Sequence, residues 1–211
     1  MRELPMFPLG TVLFPHMVLP LHVFEPRYRV LAHDVLAGGE REFGVVLISR
    51  GHEVGGGDQR TDVGTVARVL RADELEDGRW LLVGLGADRF RVAEWLDDEP
   101  YPRARVVPLE DEHEDADVAT VRSVLVPRVR EVLALQARLG DDGPPPDFEL
   151  ADDPEVACWQ VAVMSPLNPF DAQRVLATAR CGSRLALLDE LLEGLEEALR
   201  FRVSTDDQPP P

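Results

Sequence analysis

Short apolar runs broken by proline and glycine fill the first half of the chain and predict a β-rich domain over residues 1–109. Pro15 and Pro20 punctuate the first two runs, which is typical of edge strands and bends rather than of central strands. The Asp77-Gly78 pair indicates a tight hairpin turn. The apolar stretches Val12–Phe14 and Val18–Val23 are predicted to be edge strands or bends. The further predicted strands are Phe43–Ile48, Thr65–Leu70, Trp80–Leu85, Arg89–Trp95 and Arg103–Leu109. Strands at this spacing indicate an antiparallel barrel or sandwich. The barrel is favoured, because it removes exposed sheet edges.

One helix is predicted to interrupt the strands. Pro26 suits the first turn of a helix, and Gly38-Gly39 indicates its end near Ala37. The residues spaced three and four apart on its predicted apolar side are Tyr28, Leu31 and Val35.

The second half predicts a helical domain over residues 118–203. Its first helix runs to about Leu139 and contains Pro127, which is expected to kink or split it. Two further helices begin where a capping residue precedes proline, at Asp153-Pro154 and Asn168-Pro169. Ser183 is predicted to cap the last helix, whose leucine stripe more often packs within its own domain than forms a coiled coil.

Three segments are predicted to connect or end these elements. Gly51–Asp62 contains three successive glycines and predicts a mobile loop. Glu110–Asp117 is dominated by acidic residues and predicts a solvated linker. Residues 204–211 predict a disordered tail.

The charge balance excludes two classes of partner. Asp and Glu total 39 against 22 basic residues, so the formal net charge is −17. Such a surface repels nucleic-acid phosphate and anionic lipid, so neither nucleic acid nor a membrane is an expected partner. No secretory leader and no apolar run of membrane-spanning length is present, which predicts a cytoplasmic protein.

The residue types that carry catalysis are sparse. The chain has no Lys, which excludes a P-loop and a Ser–Lys dyad, and it contains no GxSxG or HExxH motif. Cys158 and Cys181 are isolated thiols that form neither a CxxC motif nor a disulfide framework. No cofactor and no metal site is therefore predicted. A hydrolase that uses His16, His22 or Cys158 is the remaining catalytic alternative.

Recognition of another molecule is the alternative to catalysis. The N-terminal stretch is rich in large apolar side chains, and any exposed contiguous subset would form a binding patch. An edge strand interrupted by proline is also suited to pairing with an extended peptide. The candidate peptide-binding residues are Phe14, Met17, Leu19, Phe24 and Tyr28.

Several blocks in order along the chain resemble the N-terminal domain of Lon proteases. The resemblance covers roughly residues 3–200, and its one small departure is His16, where the family often has Gly. The matching blocks are Leu4-Pro5-Met6-Phe7-Pro8-Leu9, Leu13-Phe14-Pro15-His16-Met17-Val18-Leu19-Pro20-Leu21, Asp62–Val69, Asp77-Gly78-Arg79 and Leu82–Arg91.

The resemblance implies an α+β fold, with a PUA-like β pseudo-barrel followed by a C-terminal helical bundle. It also implies a role in engaging unfolded or degron-bearing proteins, as an adaptor or scaffold that feeds a protease or chaperone. Because the ATPase and Ser–Lys peptidase domains of Lon are missing, a free-standing, non-catalytic domain is expected. A PUA-like domain that senses a small ligand stays open as an alternative, and the oligomeric state is not predicted.

Overall fold

The computed structural model describes residues 1–51, 59–111, 121–141, 143–145 and 147–206. The chain divides into two compact units, Met1–Glu110 and Asp111–Pro211. Most of the predicted Gly51–Asp62 loop and of the predicted Glu110–Asp117 linker lies outside the described residues. No helix in the described ranges is both long enough and apolar enough to cross a membrane.

The first unit is built on one six-stranded sheet and one helix. Its elements are β1 (Arg2–Leu9), β2 (Val18–Val23), α1 (Pro26–Ala37), β3 (Glu42–Arg50), β4 (Gln59–Glu74), β5 (Trp80–Trp95) and β6 (Arg103–Pro108). The strands follow one another across the sheet in the order β2-β5-β4-β3-β1-β6, and β5 also pairs with β6. Together with the helices of the second unit, this gives the expected α+β class.

The sheet is mixed, so the expectation of purely antiparallel pairing is wrong. β1 runs parallel to β3, with Met6 opposite Gly44 and Leu9 opposite Leu47, whereas the other pairs are antiparallel. A parallel pair needs a long crossover connection. The segment that contains β2 and α1 supplies this connection.

β5 is one continuous strand, although two separate strands were expected over Trp80–Leu85 and Arg89–Trp95. The intervening glycines do not break it, because β2 and β4 both pair with this part of β5. Gly86 also allows a close backbone approach: a Cβ atom there would lie 2.1 Å from the carbonyl oxygen of Phe14. The predicted Asp77-Gly78 turn joins β4 to β5, and Gly78 has φ +76°.

The predicted helix Pro26–Ala37 is confirmed by α1, whose bounds are the same. Its buried residues meet the inner face of the sheet in one core: the helix contributes Tyr28, Leu31, Ala32 and Val35, and the sheet contributes Phe7, Leu19, Val23, Phe43 and Leu82 among others. Each such fully buried aliphatic or aromatic side chain stabilises the fold by about 1.5–3 kcal/mol. The Tyr101 hydroxyl donates a 2.9 Å hydrogen bond to the Asp34 carboxylate on α1.

A turn that connects β1 to β2 is held against β5. His16 has φ 63°, in the left-handed region that glycine favours. The His16 N–H donates to the Gly86 carbonyl, and the Gly86 N–H donates to the Met17 carbonyl, both at 2.8 Å. These two bonds keep His16 in a backbone conformation that is costly for a residue with a side chain.

The second unit is helical in its described part. It contains a π-helical turn (Val121–Leu125) followed by α2 (Val126–Arg138), α3 (Pro154–Met164), α4 (Pro169–Ala177) and α5 (Cys181–Asp206). The π-helical turn ends two residues before Pro127, where the missing N–H and the ring clash prevent regular α-helical bonding. The predicted interruption at Pro127 is thus present.

Two helix starts follow the predicted chemistry, and a third does not. The Asp153 side chain accepts hydrogen bonds from two backbone N–H groups of α3, and the Asn168 side chain does the same for α4. Ser183 does not cap the last helix, because α5 begins two residues earlier, at Cys181. α5 also extends through Asp206, so the predicted disordered tail is wrong for Ser204–Asp206, and residues 207–211 lie outside the described part.

Candidate functional site

Three of the five predicted peptide-binding residues lie in the core. Phe14 and Leu19 are each 5% exposed, and Tyr28 is 3% exposed. Successive side chains of a strand point to opposite faces, and in β2 Val18 and Pro20 point outward, so Leu19 between them points into the core. The Tyr28 ring stacks on Phe7 with 4.1 Å between the ring centroids. A contiguous exposed patch of all five residues is therefore ruled out.

The other two predicted residues remain accessible to different degrees. Met17 is half-buried and packs against the core of the first unit. Phe24 follows the end of β2 and is 51% exposed. Its ring lies beside the exposed His22 ring, with 6.1 Å between centroids. Phe24 is thus the member of the predicted set that offers a large exposed apolar surface.

Phe24 is not alone: further apolar side chains lie on the outer side of β2 and β5. Val18 and Pro20 of β2 point outward, and the same is true of Leu81 on β5. Cross-strand pairing places Val18 opposite Leu85, Pro20 opposite Val83, and His22 opposite Leu81. We call this surface the β2–β5 apolar face, and it consists of Val18, Pro20, Phe24, Leu70, Leu81, Val83 and Leu85.

Leu70 joins the β2–β5 apolar face from β4. It lies at a bulge between the Val69–Gly84 pair and the Arg71–Val83 pair, and it is 56% exposed. Arg71 pairs with Asp73 at 2.7 Å, on the same border of the face. Apart from the exposed His22, the face is therefore apolar across β2 and β5, and it is bordered on β4 by the Arg71–Asp73 ion pair.

Of this face, sequence reasoning identified only Phe24; it missed Val18 and Pro20 on β2 as well as the members on β4 and β5. A signal for them was present, since Trp80–Leu85 is apolar at successive positions and not at alternate ones. Such a strand is either covered on both faces or leaves one apolar face in solvent. The choice between the two depends on the sheet order, which the local pattern does not contain.

β2 also lies at one end of the strand order. Within the described residues it pairs with β5 alone, so its other edge has no strand neighbour. Pro20 in the middle of β2 has no N–H to donate, which suits an edge position. An extended chain placed along this edge would continue the β2–β5 apolar face.

A groove of 310 Å³ lies in the first unit, where α1 passes the β4–β5 hairpin. Arg29, Val30 and His33 line its helical wall, and Glu74 and Trp80 belong to its hairpin wall. The groove thus combines an aromatic surface with both signs of charge, as a small polar ligand would need.

The residues of the hydrolase alternative do not show the features of a catalytic pair. His16 and His22 are exposed in the first unit, whereas Cys158 is completely buried in the second. A hydrogen bond to Cys181, together with burial, raises the pKa of Cys158, so its thiol resists forming the nucleophilic thiolate. Across the described ranges, no group of three or more His, Cys, Asp or Glu side chains has the arrangement of a metal site.

Comparisons with known proteins agree on one family. Residues 3–194 match the model of the ATP-dependent protease La (LON) substrate-binding domain. The chain is 32% identical to Lon protease of Anaeromyxobacter dehalogenans, over 96% of this chain and 24% of that protein. It is also 32% identical to Lon protease 2 of Myxococcus xanthus, over 97% of this chain and 25% of that protein. The chain therefore spans about a quarter of the length of these relatives.

Solved structures give the same answer for the fold. A Lon N-terminal domain protein from Xanthomonas campestris superposes with a TM-score of 0.65 and 26% identity, over 89% of this chain and 97% of that one. The N-terminal domain of a Mycobacterium avium complex Lon protease superposes with a TM-score of 0.62, over 91% of this chain and 98% of that one. Its identity of 16% shows the shared fold only. The chain thus belongs to the family of the ATP-dependent protease La (LON) substrate-binding domain, as the ordered blocks of its sequence had indicated.

Proposed function

We propose that this chain is a non-catalytic recognition module that holds unfolded or degron-bearing polypeptides on the β2–β5 apolar face. It acts as an adaptor or scaffold that presents these clients to a protease or chaperone. The main observation that supports this proposal is the exposure of large apolar side chains on three adjacent strands of one sheet. Val18 on β2 is 55% exposed, Leu81 on β5 is 42% exposed, and Leu70 on β4 is 56% exposed. Contiguous exposed apolar surface of this kind marks interaction sites.

The fold supports this proposal in two ways. The edge of β2 leaves backbone groups for an extended client to pair with, and the outward side chains of β2 and β5 would contact alternate residues of such a client. The pairing of β5 with both β4 and β6 supports a PUA-like barrel as the form of the first unit, and the series of helices in the second unit supports a C-terminal bundle. The cytoplasm, where unfolded clients arise, is the proposed location.

Binding of a fluorescein-labelled casein, which is unfolded in solution, tests the proposal through fluorescence anisotropy. Phe24→Ser should weaken binding, because it removes the exposed half of a side chain of about 200 Å². Burial of that apolar surface against the client contributes about 25 cal/mol per Å² to binding. Complete burial of this surface in the complex corresponds to about 2.5 kcal/mol, or a rise in Kd of about 60-fold. Leu81→Glu should weaken binding at least as much, since it places a charge within the contact.

The matched controls are Phe170→Ser and Phe201→Ser. These phenylalanines are 62% and 73% exposed, but both belong to the second unit. The same chemical change there should leave the Kd of casein within about twofold of the wild-type value. Equal weakening by Phe24→Ser and Phe170→Ser would contradict the proposed surface, and absence of casein binding by the wild-type chain would contradict the proposed function.

The groove beside α1 favours a second function, the sensing of a small ligand. Trp80 offers a stacking surface there, and Arg29 and Glu74 offer opposite charges to a polar molecule. A bound ligand raises the midpoint of thermal unfolding by mass action. A thermal-shift screen of small metabolites distinguishes the two functions, because a hit abolished by Trp80→Ala but unchanged by Leu81→Glu would assign a ligand to the groove.

A further inference from the structure

The helical unit brings together the two cysteines of the chain. Cys158 lies on α3 and Cys181 is the first residue of α5, and their Sγ atoms are 3.3 Å apart. Cys158 is completely buried, whereas Cys181 is 8% exposed. Both are free thiols. The two sulfur atoms are thus in contact although 23 positions separate them along the chain.

A buried arginine adjoins this pair. Arg184 lies one turn after Cys181 and has no exposed surface. Its Nη1 atom is 3.8 Å from the Cys158 sulfur, and its guanidinium stacks on the Trp159 ring at 3.7 Å. Its Nε atom is buried without a hydrogen-bond partner among the described residues. The guanidinium therefore supplies positive charge beside the Cys158 sulfur, and it retains one donor without a hydrogen bond.

These surroundings distinguish the two thiols. The pKa of Cys181 is lowered to about 7, mainly by its hydrogen bond with Cys158 and further by the positive charge of Arg184. Burial and the Asp111 and Glu155 carboxylates act in the opposite direction and raise this pKa. The position at the start of α5 also favours a thiolate, since the positive end of a helix dipole lies there. The same hydrogen bond and deeper burial raise the pKa of Cys158.

A metal ion does not suit this cluster. A cation would be repelled by the buried guanidinium, and the described residues give the two sulfurs no further His, Cys, Asp or Glu with which to form a metal-binding group. A site with one nucleophilic sulfur, a second sulfur in contact and an adjacent positive charge is suited instead to oxidation.

We propose that Cys158 and Cys181 are a redox site that hydrogen peroxide converts into an intramolecular disulfide. The Cys181 thiolate attacks one peroxide oxygen, the O–O bond breaks, and the products are Cys181 sulfenic acid and hydroxide. The Cys158 sulfur then attacks the Cys181 sulfur, the S–OH bond breaks, and the proton of the Cys158 thiol leaves with the hydroxide as water. Two thiols are oxidised by two electrons, and one peroxide is reduced to two waters.

The motion that the second step needs is small. A disulfide places its sulfur atoms about 2.05 Å apart, so the pair must approach by about 1.3 Å. The new bond would join α3 to the first turn of α5. The disulfide would therefore raise the unfolding temperature of the helical unit and leave the β2–β5 apolar face of the first unit unchanged.

Peroxide treatment of the whole chain tests the proposal, with peptide mass mapping after alkylation of the remaining thiols. The expected product is one cross-linked peptide pair that contains Cys158 and Cys181, lighter by two hydrogen atoms and restored by dithiothreitol. Its rate of formation should rise as the pH increases through about 7, because the Cys181 thiolate is the attacking group. Thermal unfolding should move to higher temperature after oxidation and return after reduction.

Single variants separate the roles of the two sulfurs. Cys158→Ala should stop at Cys181 sulfenic acid, which dimedone traps and which forms more slowly because the hydrogen bond that lowers the Cys181 pKa is lost. Cys181→Ala should leave Cys158 unmodified over the same time. Arg184→Met should slow oxidation several-fold, and far-UV circular dichroism shows whether each variant keeps its helices. Should a variant lose its helices, the cross-link and pH profile of the wild-type chain decide alone. Equal labelling of both cysteines, disulfides only between separate chains, or no cross-link would overturn the proposal.

Discussion

Replacing Asp111 with Asn tests how the helical unit holds a fully buried positive charge. The Arg184 guanidinium is enclosed on all sides, and its Nη2 atom donates to the Asp111 carboxylate and, at 3.0 Å, to the Thr178 carbonyl. Asp111→Asn keeps the size of the side chain and one acceptor oxygen, but it removes the negative charge. The substitution therefore isolates the electrostatic part of the contact.

The expected magnitude follows from the burial of the two partners. Removing one partner of a deeply buried ion pair destabilises a protein by about 3–5 kcal/mol. The Asp111 side chain is 21% exposed, so water screens part of the interaction, and the remaining amide oxygen still accepts a hydrogen bond. We expect a loss of about 2 kcal/mol in the free energy of unfolding, which lowers Tm by about 4–8 °C in a chain of this size.

Urea denaturation followed by far-UV circular dichroism measures this loss. The matched control is Asp189→Asn, which removes the same charge from the more exposed Arg128–Asp189 pair. A pair of that exposure contributes at most about 1 kcal/mol. The double variant Asp111→Asn with Arg184→Met keeps neither charge of the pair. Its decrease in the free energy of unfolding should therefore be smaller than the sum of the decreases in the two single variants. A loss below about 0.5 kcal/mol for Asp111→Asn, or one equal to that of the control, would refute this reasoning.

Three further predictions concern the first unit. Burial, strengthened by a hydrogen bond to a carboxylate, raises the pKa of Tyr101 from 10.0 to about 12. Above pH 10 the Tyr101 hydroxyl loses its proton in the unfolded chain but keeps it in the folded chain, so the free energy of unfolding should fall between pH 10 and about 12. Urea denaturation at a series of alkaline pH values measures this fall, which should be smaller in Tyr101→Phe. In urea denaturation, Gly86→Ala should lower the free energy of unfolding by about 3 kcal/mol or more, because its Cβ would lie 2.1 Å from the Phe14 backbone oxygen. Gly39→Ala is the control: it has open space around it and should change the free energy of unfolding by less than about 1 kcal/mol. Equal effects of the two substitutions would contradict the close approach at Gly86. His16→Gly should raise Tm by relieving a left-handed φ of 63° worth about 1 kcal/mol, and a lowered Tm in calorimetry would show that the His16 side chain contributes more than the strain costs.

Local chemistry determined several elements of this protein. Pro26 and Gly38 bound α1, Asp153 and Asn168 cap their helices, and Asp77-Gly78 forms the hairpin turn. Each of these signals acts within about one turn of backbone, so a linear pattern contains all of it. The order of the N-terminal blocks likewise indicated the Lon family, which the comparisons confirm.

The candidate site was predictable only in part. Phe24 is exposed as expected, but Phe14, Leu19 and Tyr28 became core residues, because strand alternation and α1 turn them inward. A large apolar side chain has the same composition signal whether it builds a core or a contact surface. Its exposure is decided by what packs against it, and that depends on residues far away along the chain.

The sequence by itself therefore determined where most elements begin and end and to which family the chain belongs. Only the tertiary structure decided that β1 runs parallel to β3, that β5 exposes Leu81 on an apolar face, and that Cys158 meets Cys181. The physical reason is range. Capping and turn formation are settled between near neighbours, whereas strand order, burial and sulfur contact require segments distant along the chain to be brought together by the packing of the whole fold.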